Sequence, residues 1–309
     1  MKKQLVIIGI IFILVSVGLS GCSENAGSYV TLNAGDPDNE FEMHYKITGD
    51  SGKPVLVLTA GMGAGMSSWT FLAGKFKDFR VITYDPRCMY KSGHTPDYEL
   101  SDLASDLNEL LIYLHIDKAN ILGWSLGGIV AQYFAYTYPE KVDHLILLST
   151  TAMGTDPALI EINEQIKQNI ADAGATMSDP PTADELEHLL PALTGLSFNN
   201  LFLRKMMVMV SDTKLITLQD PDFFDGLAQQ WIATNDADTY SRLDEITAPT
   251  LLLHGTADRL VPIAARGILE DALVNADVTV GDVPNGSHGC GIENAAKVGS
   301  LINNYLKGN

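Results

Sequence analysis

Three side chains that together could perform acyl chemistry stand at Ser125, Asp258 and His288. Ser125 lies in Gly123-Trp124-Ser125-Leu126-Gly127, where an apolar run ends and a helical pattern begins. A serine flanked in this way at a strand-to-helix turn is typical of a nucleophile elbow. Glycines two positions before and after the serine leave room for a turn that larger side chains would block. The segment therefore predicts a serine Oγ raised out of the end of a sheet, within reach of a base.

An acid and a base follow in a matching order. Asp258 comes shortly after the apolar run Thr250–Leu253, and His288 comes after the strand-like run Val278–Val280. In a serine, acid, histidine triad the imidazole takes the serine proton, and the carboxylate fixes the imidazole tautomer. We therefore expect His288 to be the base for Ser125 and Asp258 to be the acid.

Other acids and histidines fit these roles less well. Asp271 and Asp282 are poorer candidates for the acid. His254 ends a predicted strand beside Asp258, and we interpret it as a packed strand-end residue.

Strand and helix patterns alternate around these residues. Strands are predicted at Phe41–Ile47, Pro54–Thr59, Phe79–Tyr84, Ala119–Gly123, Val142–Leu148, Thr250–Leu253 and Val278–Val280. Several are continuous apolar runs, as expected for strands covered on both faces. Helical patterns lie between them, so we expect an α/β fold with a mostly parallel sheet and helices on both sides.

One long segment, residues 153–245, interrupts this alternation. It contains no convincing strand, and its patterns predict helices at Ala158–Ala173, Ala183–Leu193, Leu201–Val210 and Phe223–Ala233. We expect a helical cap inserted into a core made of residues 41–152 and 246–309. Most of the apolar cap residues, several of them adaptable methionines, are expected to pack the cap against the core, and several are expected to line an apolar pocket. These residues are Phe198, Leu201, Phe202, Met206, Met207 and Met209.

Residues 1–22 have the form of an export signal. Two lysines precede an apolar run from Leu5 to Leu19, which ends in Leu19-Ser20-Gly21-Cys22. This ending resembles a prokaryotic lipobox, which implies a diacylglyceryl group on Cys22 and a protein anchored outside the cytoplasmic membrane. An uncleaved membrane anchor is the alternative. The polar residues 23–40 are expected to form a tether.

The net charge of the sequence limits the partners that the protein could bind by electrostatic attraction. The 309 residues carry a net charge of −18, and removal of residues 1–22, with their two lysines, leaves −20. This charge argues against nucleic acid and against an anionic lipid surface as electrostatic partners. The lipid on Cys22 would then provide the contact with the membrane.

The cysteine and histidine content gives no sign of a metal or other cofactor. No Cys and His cluster has the spacing of metal ligands. Cys88 and Cys290 could form a disulfide in an oxidising compartment, provided that the fold brings them together.

From residue 41 to the end, the sequence resembles the α/β-hydrolase superfamily in its capped, esterase-like branch. The motifs that carry the resemblance are Gly123–Gly127, His254–Pro262, Gly286–His288 and the loop Ala60-Gly61-Met62-Gly63 with Trp69 downstream. The resemblance implies that this loop is the oxyanion-hole loop. The backbone N–H groups of Met62 and Leu126 would then hold the oxyanion.

The sequence departs from the family pattern in two places. The family usually has histidine where Ala60 stands, and it has two glycines where Cys88 and Tyr90 stand in the segment Asp85–Ser92. The altered turn is expected to be reshaped. Neither Asp85 nor Arg87 is expected to be catalytic.

Together these features predict a serine hydrolase that cleaves a small to medium apolar carboxylic ester through an acyl-enzyme. Two alternatives remain open from the residues. One is a related acyl-chemistry enzyme, such as a C–C bond hydrolase, thioesterase, lactonase or perhydrolase-like protein. The other is a ligand-binding lipoprotein that keeps the fold without turnover.

Overall fold

The computed structural model describes residues 27–95, 97–174, 178, 180–201, 216, 220–235 and 237–308. Its centre is an eight-stranded sheet in the order β1-β2-β4-β3-β5-β6-β7-β8. The strands are β1 Ser28–Leu32, β2 Phe41–Thr48, β3 Val55–Thr59, β4 Arg80–Tyr84, β5 Ala119–Trp124, β6 Val142–Leu148, β7 Thr250–Gly255 and β8 Val278–Val283. Only the pairings of β2 with β1 and with β4 are antiparallel. The prediction of a mostly parallel α/β sheet is therefore confirmed.

Helices connect the parallel strands and cover both faces of the sheet. They are α1 Thr70–Ala73, α2 Leu100–Tyr113, α3 Leu126–Thr137, α4 Pro157–Asp172, α5 Ala183–Ser197, α6 Phe223–Asn235, α7 Ala264–Ala272, α8 Cys290–Glu293 and α9 Ala295–Leu306. Within the described ranges, no helix combines the length and the apolar content needed to cross a membrane.

The central strands β3 to β7 are largely apolar because each side of the sheet carries its own core. In β6, Leu145 and Leu147 belong to the core under α2 and α3, whereas Ile146 and Leu148 belong to the core under α1 and α9. Successive side chains of a strand point to opposite faces, so a doubly covered strand needs apolar residues at every position. The parallel arrangement brings the carboxyl ends of β5, β7 and β8 to one edge of the sheet.

The expected tether at residues 23–40 is wrong for its middle part. Ser28–Leu32 forms β1, which pairs antiparallel with β2 at the edge of the sheet. Val30 and Leu32 are buried, whereas Tyr29 and Thr31, which alternate with them, face outward. This period-2 pattern is that of a half-buried edge strand, but it is too short to stand out in a polar segment.

The segment between β6 and β7 contributes three helices, α4, α5 and α6, and no strand among its described residues. Helix α5 extends beyond the predicted end to Ser197, with Pro191 inside it. The helix predicted at Leu201–Val210 lies, apart from Leu201, outside the described residues, as do residues 1–26 with the proposed signal and Cys22.

Candidate active site

Ser125 occupies a strained turn between β5 and α3. Its φ of 55° and ψ of −122° lie where a residue with a side chain is rarely found. Two hydrogen bonds hold the turn: the Ser125 N–H donates to the Leu148 carbonyl at 3.1 Å, and the Thr150 hydroxyl donates to the Ser125 carbonyl at 2.6 Å. Strain of this kind persists only where the surroundings fix the backbone, and it is concentrated at functional sites.

The two glycines of the elbow are required by close backbone approach. A Cβ at Gly123 would lie 2.3 Å from the Gly127 carbonyl oxygen, and a Cβ at Gly127 would lie 2.1 Å from the Thr59 carbonyl oxygen. Both contacts are with backbone, which cannot move aside as a flexible side chain could. Helix α3 thus packs closely against β5 and β3 directly beneath the serine.

The structure brings Ser125, His288 and Asp258 together in one hydrogen-bonded chain. The Nε2 atom of His288 lies 3.0 Å from Ser125 Oγ, and its Nδ1 atom lies 2.9 Å from Asp258 Oδ2. Both distances are those of hydrogen bonds. Asp282 instead pairs with Arg266, and Asp271 is exposed on α7. Of the three candidate acids, Asp258 is therefore the one placed at the histidine.

Asp258 is buried but well supplied with donors. Its Oδ1 accepts hydrogen bonds from the Leu260 and Val261 N–H groups, each at 2.9 Å. Burial alone would raise the carboxyl pKa, but the nearby charge of His288 and hydrogen bonds from His254 and His288 outweigh it, so the pKa is lowered. Asp258 is therefore an ionised acceptor that can orient the His288 ring.

His254 is buried near the end of β7, as expected for a packed strand-end residue, and it also lies beside Asp258, which the sequence interpretation did not include. Its Nε2 lies 3.1 Å from the Val261 carbonyl oxygen and 3.4 Å from Asp258 Oδ2. A carbonyl oxygen can only accept, so Nε2 carries the hydrogen and points it between the two oxygens. The sequence signal for this contact was the spacing of four residues between His254 and Asp258.

The loop that carries His288 is fixed by contacts around it. The Trp124 indole N–H donates to the His288 carbonyl at 2.9 Å, and the two rings lie 5.7 Å apart. Ser287 is hydrogen bonded to Glu293. Cys290 is buried beside Ser149, and burial raises the pKa of its thiol to about 12. Trp124, next to Ser125, and Glu293 of α8 thus both fix the loop that carries His288.

The loop Ala60–Gly63 lies directly against the serine. A Cβ at Gly61 would be 3.2 Å from Ser125 Cβ. Within the described part of the chain, neither the Met62 N–H nor the Leu126 N–H donates to another protein group. Leu126 is the first residue of α3, where a helix presents free N–H groups and partial positive charge. Both amides are available to an anionic oxygen.

The family model described as alpha/beta hydrolase fold matches residues 54–295 of this sequence. The chain belongs to the α/β-hydrolase family. The match includes the elbow serine, the acid, the histidine and the loop Ala60–Gly63.

Several proteins that resemble this chain over most of its length are hydrolases. A 2-hydroxy-6-oxononadienedioate/2-hydroxy-6-oxononatrienedioate hydrolase of Paraburkholderia xenovorans is 27% identical over 91% of this chain and 96% of its own length. A 3-oxoadipate enol-lactonase of Acinetobacter baylyi is 24% identical over 81% of this chain and 87% of its own. The crystal structure of a hydrolase from Pseudomonas aeruginosa superimposes with a TM-score of 0.71 at 26% identity, covering 91% of this chain and 99% of that one.

This α/β-hydrolase keeps a glycine-like backbone where the family's glycines are missing. Cys88 has a φ of 61° and Tyr90 a φ of 53°, both in the left-handed region that favours glycine. Cys88 and Tyr90 thus adopt positive φ despite their side chains, and the reshaping of the turn relative to the family stays a prediction. Nearby, Asp85 pairs with His44 at 2.8 Å, and Arg87 pairs with Asp106. The side chains of both pairs are buried and hydrogen bonded to each other, in keeping with a structural role.

No group of three or more His, Cys, Asp or Glu side chains in the described ranges is placed to hold a metal ion. Cys88 and Cys290 are buried free thiols.

Proposed function

We propose that this α/β-hydrolase is a serine hydrolase that cleaves small to medium apolar carboxylic esters through an acyl-enzyme. The observation that supports the proposal best is the continuous chain of hydrogen bonds from Ser125 Oγ through His288 to Asp258, at 3.0 and 2.9 Å. A serine hydroxyl is a weak nucleophile, and it becomes effective when a positioned base takes its proton.

Each step of the reaction has a group to perform it. Ser125 Oγ attacks the ester carbonyl carbon while His288 Nε2 takes the hydroxyl proton. The carbonyl oxygen becomes an oxyanion, which accepts hydrogen bonds from the Met62 and Leu126 N–H groups. When the C–O bond to the alcohol breaks, His288 returns the proton to the leaving oxygen. A water molecule, deprotonated by His288, then attacks the acyl carbon. The bond from that carbon to Ser125 Oγ breaks, and His288 returns the proton to Oγ, which releases the carboxylic acid and restores the serine.

Serine at this position also limits the chemistry. Alkyl-enzyme intermediates need a carboxylate nucleophile, because displacement at an alkyl carbon by this route forms an ester that water can cleave. Acyl transfer to water therefore fits the site, whereas dehalogenation and epoxide opening by that route do not. A lactone is a cyclic ester that the same steps would open.

Apolar side chains near the two loops favour an apolar substrate. Phe223 and Leu227 of α6 lie within 3.7 and 3.1 Å of the position that a Cβ would take on Gly63. Phe198, after α5, would lie 2.6 Å from a Cβ on Gly289. Hydrophobic and aromatic linings are typical of small-molecule sites, so we expect esters of short to medium acyl chains to be preferred.

Labelling with a fluorophosphonate tests the mechanism. The reagent forms a P–O bond with an activated serine and loses fluoride, so intact mass reveals one adduct per active site. We expect one adduct on the full-length protein in mild detergent, none on Ser125→Ala, and one on the control Ser241→Ala. Turnover of an ester panel should be lost in the same variant. A folded wild-type protein without an adduct would favour the ligand-binding alternative.

We further propose that Cys22 is lipidated and anchors the enzyme outside the cytoplasmic membrane. The sequence of residues 1–22 supports this proposal. Because β1 begins at Ser28, only residues 23–27 would separate the lipid from the sheet, a span of at most about 18 Å when extended. Cys22→Ala should move the protein from the membrane fraction to the soluble fraction. A variant that stays with the membrane would contradict lipidation.

A further inference from the structure

The loop that presents the Met62 N–H is a tight turn with little rigidity of its own. The Ala64 N–H donates to the Gly61 carbonyl at 3.0 Å, and Gly63, at the third position of the turn, has a φ of 64°. A positive φ at this position is what a type II turn requires, and rotation of the Met62–Gly63 peptide converts such a turn into type I. Glycine accepts both conformations, so the residue itself does not prevent the rotation.

Two side chains hold the peptide groups on either side of Gly63. The Gly63 N–H donates to Gln230 Oε1 at 2.8 Å, and the Gly63 carbonyl accepts from the Tyr90 hydroxyl at 2.9 Å. Gln230 belongs to α6 of the inserted segment and is 1% exposed. Tyr90 belongs to the turn after β4. Rotation of either peptide would break one of these bonds and leave a buried polar group without a partner, which is costly.

Tyr90 is itself fixed in place. Its N–H donates to Asp220 Oδ2 at 2.7 Å, and its ring packs edge-on against Phe223 at 5.5 Å. A Cβ at Gly65 would lie 2.7 Å from the Tyr90 ring, so the glycine makes room for it. Burial raises the pKa of the Tyr90 hydroxyl, which therefore remains a hydrogen-bond donor at neutral pH.

We propose that Tyr90 is a positioning residue for the oxyanion hole: together with Gln230 it fixes the two peptides that follow Met62, and so the path of the turn that carries the Met62 N–H. Tyr90 touches neither substrate nor the reacting atoms, and it acts through the Gly63 carbonyl. This inference rests on the proposed serine hydrolase function. It also connects two departures from the family pattern. Tyr90, which stands where the family has a glycine, restrains the loop in which Ala60 stands in place of the usual histidine.

The substitution Tyr90→Phe tests the proposal because it removes only the hydroxyl. Loss of a single oxyanion-hole donor typically costs about 100-fold to 1,000-fold in kcat. Partial misplacement of one donor should cost less, so we expect about a tenfold fall in kcat for a p-nitrophenyl ester. KM should change less than twofold, and the rate of fluorophosphonate labelling should fall in parallel. Tyr98→Phe is the matched control, because the Tyr98 hydroxyl is buried without a partner among the described residues.

Comparing an ester with the matched thionoester distinguishes a misplaced oxyanion-hole donor from a general loss of folded enzyme. Sulfur is a weaker hydrogen-bond acceptor than oxygen, so a thionoester gains less from the hole. Tyr90→Phe should therefore slow the ester more than the matched thionoester, whereas a merely destabilised enzyme should slow both equally. Gln230→Met, which removes the acceptor for the Gly63 N–H, should show the same selective loss and serves as the second variant if Tyr90→Phe folds poorly.

The outcomes distinguish the two proposals. If the wild-type protein takes no fluorophosphonate, the proposed function fails and the positioning role fails with it. If the wild type is labelled and Tyr90→Phe and Gln230→Met match it in kcat and in the ester-to-thionoester ratio, the positioning role alone is overturned. A selective loss in both variants, with Tyr98→Phe unchanged, supports it.

Discussion

Arg259 Nε donates a hydrogen bond to Asn199 Oδ1 at 3.1 Å, which joins the residue after Asp258 to the segment that follows α5. The Nη2 group of Arg259 also donates to the carbonyls of Gly195 and Phe198, at 2.7 and 3.0 Å. A cation at the carboxyl end of a helix satisfies carbonyls that lack helical partners and interacts favourably with the helix dipole. One arginine thus ties Asp258's loop to α5.

The same end of α5 also contacts the histidine loop. The Gly289 N–H donates to the Ser197 carbonyl at 2.7 Å, and the Asn200 N–H donates to Glu293 Oε1 at 2.6 Å. Residues 195–200 therefore contact both the loop of Asp258 and the loop of His288. We expect these hydrogen bonds to couple the position of α5 to the geometry of Asp258 and His288.

Arg259→Ala should lower kcat/KM about tenfold. Hydrogen bonds from a charged group contribute about 1.5–3 kcal/mol to folding stability, and less at an exposed residue such as Arg259. Because only the part of this energy that positions Asp258 affects the transition state, we expect an effect of about 1.36 kcal/mol, which corresponds to tenfold. Hydrogen exchange of the last turn of α5 should also speed up. Arg242→Ala is the control, because Arg242 makes an exposed pair with Glu245. Equal kinetics for the two variants would contradict the coupling.

Asp258→Asn should lower kcat by several orders of magnitude while KM changes little. An amide in place of the carboxylate can donate to His288 Nδ1 and favour the wrong tautomer, with no hydrogen-bond acceptor at Nε2 for the Ser125 proton. Steady-state kinetics on a p-nitrophenyl ester would measure the loss. The control is Asp271→Asn, an exposed acid on α7 that should keep full activity. A mild effect at position 258 would mean that another residue supplies the acid.

His94 should make the free energy of unfolding fall as the pH rises from about 6.5 to about 10. Hydrogen bonds to Asp220 and Cys88 raise the pKa of His94 from 6.5 to about 10. A pKa raised by folding contributes stability that is complete below about pH 6.5 and is lost as the pH rises to about 10. Urea unfolding of the wild type and of His94→Gln should therefore show a free-energy difference that shrinks across this range. A difference that stays constant with pH would contradict the assignment.

Cys88 and Cys290 should remain unpaired thiols. Cys88 packs in the core under α2 and α3, whereas Cys290 packs in the core under α1 and α9, so the sheet separates them. Thiolates are the reactive form, and burial keeps both thiols from reagents. Iodoacetamide should label neither residue in the native protein and both after unfolding, as peptide mass analysis would measure. A disulfide-linked peptide pair would contradict the structure.

The sequence alone determined the features that depend on neighbours in the chain. Apolar runs of four to seven residues predicted the buried strands, because a strand covered on both faces is apolar at every position. The glycines around Ser125 predicted the elbow, since only glycine fits where backbone lies 2.1 to 2.3 Å from the Cβ position. Ser125, Asp258 and His288 could be chosen together because each stands just after a strand, and parallel strands end at one edge.

Only the tertiary structure decided the contacts between distant segments. The Gly63 loop meets Tyr90 and Gln230, which are 27 and 167 positions away along the chain. Arg259 meets Asn199 from 60 positions away. Hydrophobic periodicity reports which face of an element is buried, not which polar atom it meets across the fold. Those pairings follow from how the inserted helices dock on the sheet, and docking depends on the packed shape of the whole chain.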